Sequence, residues 1–502
     1  MKYENPVLRG MYPDPSVIKV KNIYYMVCST MHLFPGVPVF ESKDLVNWKQ
    51  IGHCLTRRSQ VNLDKVNSSG GIFAPTIRYH KGRFYMVTTN STYGKNFYVY
   101  TDDIYGEWSE SIIVEQGGID PSLYFEGDKA YFMSTDEEKE NKGKNAIYQC
   151  EIDIETGKKL TESTIIWRGT GGRYLEGPHL YRINDMYYLM AAEGGTEYGH
   201  MITYARGKSI NGPFESYAGN PVLTNRNLGG YVLQGVGHGD LVEDEQGNWW
   251  ILHLGFRQEE RYVTFHQLGR EVCLTPVTWD ENGWFTAGED GICKIEFETD
   301  RIPDSVVQEL PSEYTMENTE WKKDWCTIRI PDAARYELGK NYVKLLGSSV
   351  NLSDIDAPAF IGLRQKDFDA VITCDVKVSE GEAGLSLYLD ESHHYDLFVN
   401  ADKKAGERLC IGDIKSIEAE CPAAEENIML KITADALFYT FTVISDGKET
   451  VLGKAQCRYL SSEVAGGFTG VIIGMYATGN GKDCKEPAEF TNYRIQYVRN
   501  KK

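Results

Sequence analysis

The sequence predicts an all-β protein, a five-bladed β-propeller followed by a β-sandwich of jelly-roll type. Three observations carry that prediction. A short head of acid and proline recurs before paired aromatic strands, the heads are regularly spaced, and the C-terminal part of the chain changes to alternating segments parted by tight turns.

The first head is Tyr12-Pro13-Asp14-Pro15-Ser16, which leads through Val17-Ile18-Lys19-Val20 into Tyr24-Tyr25-Met26-Val27. Phe73-Ala74-Pro75-Thr76 runs into Phe84-Tyr85-Met86-Val87 without an acid at its first position. Gly118-Ile119-Asp120-Pro121-Ser122 precedes Tyr131-Phe132-Met133, and Tyr174-Leu175-Glu176-Gly177-Pro178 precedes Tyr187-Tyr188-Leu189-Met190. The fifth head, Gly237-His238-Gly239-Asp240, leads into Trp249-Trp250-Ile251-Leu252. Heads roughly 45 to 65 residues apart fit propeller blades of four short strands. Proline restricts the residue before it toward extended geometry, so each acid is expected extended, at the mouth of its strand. Three carboxylates at equivalent corners of a repeat converge on one axis.

Blade character fades after Gly283-Trp284-Phe285, and the charged, turn-prone stretch Glu298 to Asp304 follows. The expected division is a propeller over 1–300, a linker over 301–322 and a sandwich over 323–502. Segments such as 371–378, 383–389 and 394–399 alternate apolar and polar residues between Gly, Asn and Asp turns. The only helix-like feature expected is a turn over 423–427.

Composition narrows the function. The chain has 502 residues, 41% of them hydrophobic and 12% aromatic, which suits well-packed domains and excludes disorder. A formal charge of −19 argues against nucleic-acid or anionic-membrane partners and is compatible with a neutral sugar. No run of about 18 apolar residues predicts a span. The N-terminus lacks the apolar core of a signal peptide, so no leader is expected. The 11 cysteines are scattered with no Cys-x-x-Cys spacing, as for buried free thiols in a reducing compartment, and the cytoplasm is the expected location.

The heads, together with Phe34-Pro35-Gly36-Val37-Pro38, Ser42-Lys43-Asp44-Leu45-Val46-Asn47-Trp48 and Leu268-Gly269-Arg270-Glu271, resemble glycoside hydrolase family 43. The segment from Phe360 to Val399 is similar to the concanavalin-like sandwich of its β-xylosidase and arabinofuranosidase branch. One departure is Phe73, where that branch often has Trp. The resemblance implies an inverting exo-glycosidase that releases a terminal pentose from short plant-wall oligosaccharides, α-L-arabinofuranose first and β-D-xylose second. Asp14 is then the general base, Glu176 the general acid, and Asp120 the residue that orients Glu176 and raises its pKa. Asp14 must stay ionised, so Arg270 is expected near it; Arg270 would otherwise grip two sugar hydroxyls or form a surface pair with Glu271. Phe34 and Phe73 are candidate walls of the sugar pocket, and Thr196 and His200 candidate pocket-edge residues. His238 has three open roles: a core hydrogen-bonding residue, a brace beside the acids, or a ligand of the calcium-type axial ion that some members hold. No cofactor is required. Phe468 is either a sandwich residue reaching into the pocket or part of the sandwich core. Homo-oligomerisation is left open. A silent sugar-binding propeller is disfavoured by the three acids, and a phosphorylase by the lack of a cationic cluster beside them.

Overall fold

The computed structural model describes residues 1–259, 263–423 and 428–498. The turn expected over 423–427 therefore falls almost wholly outside the described residues. The chain is all-β, and the single α-helical stretch among the described residues is Ser462–Ala465.

Five four-stranded antiparallel sheets come first, each built from consecutive strands except that the first skips Leu33–Phe34. Their first strands are Ser16–Val20, Thr76–His80, Ile119–Glu126, Glu176–Ile183 and Leu233–Glu243. These touch in cyclic order, each against the next and the fifth against the first. The N-terminal strand Lys2–Glu4 pairs with Glu296–Glu298, and Leu8 bridges to Val272 in the fifth sheet, so the start and end of this unit are tied together.

A buried polar knot fixes the inner strands. Asp240 of the fifth sheet accepts hydrogen bonds from Ser16 Oγ at 2.7 Å and Val17 N at 3.1 Å in the first. Arg78 Nη1 of the second donates to it at 2.8 Å, and the Tyr181 hydroxyl of the fourth donates to it as well. Burial would raise the Asp240 pKa, but Arg78, His179 and the Tyr181 hydroxyl together outweigh it and hold the carboxyl well below the usual range. A buried charge with this many partners is satisfied, and removing one partner would strand it.

The expectation of extended geometry is overturned at Asp14 and Asp120. Asp14 and Asp120 lie at φ 56° and 50°, in the left-handed region, as do Gly177 after Glu176 at φ 60° and His238 at φ 42°. Register shifts mark bulges between Ile119 and Ser122, between Glu176 and His179, and from Gln234 to Gly239. A bulge inserts an unpaired residue and re-aims its side chain. Aspartate tolerates the left-handed region better than most residues, so here the bulge overrides the preference that proline imposes.

The C-terminal unit stacks an eight-stranded sheet on a six-stranded one. Ala370–Lys377 alternates buried and half-buried residues, as a strand with one covered face does. Glu382–Asp390 instead is buried on both faces. Leu385, Leu387, Leu397 and Val399 point into the sandwich core. Tyr388, Phe398, Phe360 and Tyr476 turn outward and cluster with Met11, Met31 and Leu33 of the N-terminal sheets. Within the expected linker, Glu313–Thr315 pairs with the last strand of the sandwich, and just beyond it Thr327–Ile328 pairs with Leu33–Phe34. Buried Arg257 binds both Glu271, at 2.8 Å and 2.9 Å, and Asp367 across the junction, at 2.8 Å.

Candidate active site

Asp120, Glu176 and His238 from bulged corners meet Asp14 and Arg270 around one small pocket, also lined by Met31, Phe73, Ala74, Ile119, Thr196 and Phe468. Glu176, Thr196, Arg270 and Phe468 line in addition a wider cavity of about 530 Å³, so Glu176 stands where the two meet.

Asp14 is buried and its Oδ2 accepts from Ser29 Oγ at 2.6 Å. Its Oδ1 accepts from Arg270 Nη1 at 3.0 Å, and His238 Nδ1 lies 3.8 Å away. Burial alone would raise the Asp14 pKa; Arg270, then His238 and the Ser29 hydroxyl, outweigh it and hold the carboxyl below its ordinary value. Glu176 moves the other way. Burial and the Asp14 anion push its pKa up to about 8, against a smaller opposing effect of Arg270. Asp120 is raised well above the ordinary carboxylate range by burial, Glu176 and Asp14. The charge of Asp14 thus adds to burial in keeping Glu176 protonated, and Glu176 and Asp14 both add to the rise at Asp120.

Arg270 is buried rather than paired with Glu271, which Arg257 occupies. Its Nη1 is shared by Asp14 and Thr196 Oγ1, the latter at 2.9 Å, and its guanidinium faces the Phe468 ring at 5.6 Å. The fork is therefore partly committed to the base.

Phe468 belongs to no apolar core cluster among the described residues; it is 38% exposed and meets Phe73 edge-on at 6.2 Å. Its N–H donates to Ser69 Oγ at 2.8 Å, and Val471 N donates to Gln267 O at 2.9 Å. Two glycines permit the approach: a Cβ on Gly470 would lie 2.5 Å from Leu268 O, and one on Gly269 would lie 3.0 Å from Gly470 Cα. Phe34 is not among the lining residues. It pairs with Thr327 and packs against the cluster of the first two sheets, and Met31 takes the wall.

Glu193, fully buried, is a latch for the loop that leads to Glu176. It accepts from Thr170 N at 2.8 Å, Gly172 N at 2.7 Å and Thr203 Oγ1 at 2.8 Å. His200 is fully buried behind Glu176, with Nε2 at 3.9 Å from Glu176 Oε1. His238 packs its ring over Gly177, where a Cβ would lie 2.8 Å from the ring. A calcium-type ion needs six to eight oxygen ligands. Among the described residues no three His, Cys, Asp or Glu side chains form a group able to hold a metal. With Asp14 taken by Arg270 and Ser29, the residues around His238 do not fit a protein-built cation cage.

Sequence reasoning missed Ser29, Met31, Tyr174, Tyr198, His266 and Glu463. Tyr174 carried a signal, an aromatic two residues before Glu176; the others come from loops or from the sandwich.

Buried carboxyls of opposed protonation at the mouth of a cavity define a hydrolase of glycosidic bonds as the class. Residues 3–285 match the family described as Glycosyl hydrolases family 43, and residues 314–496 match the beta xylosidase C-terminal concanavalin A-like domain. The chain belongs to glycoside hydrolase family 43. It is 40% identical to a non-reducing end alpha-L-arabinofuranosidase of Bacteroides ovatus, over 97% of this chain and 93% of the relative. It is 34% identical to a xylosidase/arabinosidase of Butyrivibrio fibrisolvens, over 98% and 99%. Among solved structures, a Bacteroides ovatus protein titled Xyloglucan PUL GH43B superposes with a TM-score of 0.92 at 38% identity, each chain wholly covered. A xylan beta-1,4-xylosidase from Bacillus halodurans gives 0.91 at 30% identity, covering 99% of this chain and 100% of that one.

Proposed function

We propose that this chain is an inverting exo-glycosidase that removes terminal α-L-arabinofuranose, and secondarily β-D-xylose, from short pentose-containing oligosaccharides of plant walls. The carrying observation is the opposed protonation of Asp14 and Glu176. Asp14, held ionised by Arg270, activates water; Glu176, held protonated, delivers a proton to the leaving oxygen. Glu176 borders the wider cavity, so the leaving group departs that way. Asp120 orients Glu176. Phe73 and Phe468 wall the inner pocket and limit it to one terminal ring.

The five sheets and the cyclic contact of their inner strands support a five-bladed propeller, and the two matched spans support a division into propeller, linker and sandwich at about the expected bounds. The reading needs no cofactor; an axial calcium beside His238 would have water for most of its shell. Ten buried cysteines and one half-buried, all unpaired, support a cytoplasmic location. β-Xylosidase as the main activity is the second reading, favoured by the names of several relatives.

Hydrolysis of 4-nitrophenyl α-L-arabinofuranoside and β-D-xylopyranoside, compared on the purified chain, orders the two substrates; no turnover of either would refute the reading. Proton NMR of the first-formed sugar should show the anomer opposite to the substrate, and retention would overturn the assignment of Asp14 as base.

A further inference from the structure

His200 carries a buried ring nitrogen with no hydrogen-bond partner, Nε2. The other nitrogen, Nδ1, lies 3.2 Å from Gly235 O. A carbonyl only accepts, so Nδ1 carries the hydrogen and Nε2 presents a bare lone pair. Burial pushes the His200 pKa down to about 3, so the ring is neutral at working pH and Nε2 stays unprotonated. Glu176 Oε1 lies 3.9 Å from that nitrogen. Facing a carboxylate it meets a second acceptor and repels it; facing a carboxylic acid it meets a donor.

The ring cannot turn away. A Cβ on Gly237 would lie 2.4 Å from His200 Cγ, so the fifth sheet presses its backbone flat against the imidazole. His200 O accepts from Thr224 Oγ1 at 2.7 Å, which fixes its main chain. The tautomer, the position and the direction of the lone pair are all set before substrate arrives.

We propose that His200 is a positioning residue for the acid: an obligate hydrogen-bond acceptor that holds Glu176 in its protonated form and releases its proton to the leaving oxygen. This rests on the reading of Glu176 as general acid. At 3.9 Å the contact is open; a shift of about 1 Å in the Glu176 carboxyl closes it in the free enzyme, and the single O–H turns from His200 Nε2 to the leaving oxygen when substrate binds. Hydrogen bonding to the neutral form disfavours ionisation, so His200 acts in the same direction as burial and the Asp14 charge. The other groups around the carboxyl are Asp120, His238 and Arg270, with Glu197, His266 and Glu463 on the outer cavity. None of these is an obligate acceptor with an unpartnered buried lone pair.

Two variants test it, His200→Phe, which keeps a flat ring and removes the lone pair, and His200→Gln, whose amide can donate to the anion. The basic limb of the kcat/KM profile on an unactivated arabinosyl oligosaccharide should fall by about one pH unit in both. That is about a tenfold loss on the alkaline side, while the acid limb set by Asp14 stays in place. Turnover of 2,4-dinitrophenyl α-L-arabinofuranoside, which needs no proton, should change little. A basic limb that stays in place in folded variants, or a loss equal at every pH and for both leaving groups, overturns the proposal. Nitrogen-15 spectra of the unaltered enzyme with labelled histidine give a second check: Nε2 of His200 should remain unprotonated across the active pH range, and a protonated Nε2 overturns the proposal whether or not the variants fold. If Glu176→Ala is not rescued by the activated substrate, the general-acid reading fails instead, and the two failures are told apart.

Discussion

Asp14 and Glu176 are the same kind of group in one pocket, and their neighbours drive them apart. Asp14 accepts from a guanidinium and a hydroxyl, whereas Glu176 has burial and a nearby anion. Asp14→Ala and Glu176→Ala should each lower kcat by at least about 100-fold on ordinary substrates while leaving the fold intact. The activated 2,4-dinitrophenyl glycoside should restore much of the rate to Glu176→Ala and none to Asp14→Ala; steady-state kinetics on both substrates check this. For the unaltered chain, activity should fall on the alkaline side as Glu176 ionises near pH 8, and on the acid side only below the ordinary carboxylate range, where Asp14 takes up its proton. The three acids were legible because each opens a head with a nearby proline. Their left-handed backbone at Asp14 and Asp120 was not, because it departs from what the acid-proline dipeptide favours, at Asp120 through a bulge between paired strands.

At the scale of elements, the loop Gly466–Gly470 matters most. Phe468 is a half-exposed wall of the pocket, so Phe468→Ala should raise KM several-fold with little change in melting temperature. A buried aromatic of a core would instead cost ~3 to 5 kcal/mol, and a large drop in Tm with unchanged KM would count against the wall. The strand His393–Asn400 offers a pH test of its own. His394 Nδ1 lies 2.9 Å from Asp396 Oδ1, and although burial opposes it, Asp396 pushes the His394 pKa up to about 9. A raised histidine stabilises the fold fully below its unfolded value of about 6.5 and loses that contribution as pH climbs to about 9. The loss is on the order of 3 kcal/mol for a shift of this size. Thermal melts should show Tm falling between pH 6.5 and 9, and His394→Gln should melt lower at pH 6 and lose most of that slope. Alternation made these sandwich strands readable. It could not show that Glu382–Asp390 is buried on both faces, since its outward residues pack on a partner remote in sequence.

At the scale of the whole molecule, the sandwich completes both the core and the pocket. Tyr388, Phe398 and Tyr476 cover Met11, Met31 and Leu33, while Asp367 shares Arg9 and Arg257 with the N-terminal sheets. A chain cut after residue 306 should therefore expose an apolar patch, leave those arginines short of a partner and lose Phe468. Expressed alone it should aggregate or turn over substrate at least tenfold more slowly, as size-exclusion chromatography and kinetics would show; a soluble, fully active fragment would contradict this. Local sequence determined the all-β class, the recurring heads, the alternating strands and the three acids, because turn chemistry, strand period and residue type act over a few positions. Tertiary structure decided which of them meet. It put Arg270 on Asp14 rather than Glu271, Met31 rather than Phe34 on the pocket wall, and His200 behind Glu176, because each pairing joins strands or loops distant in sequence, and burial and charge shift a pKa only once those groups are packed together.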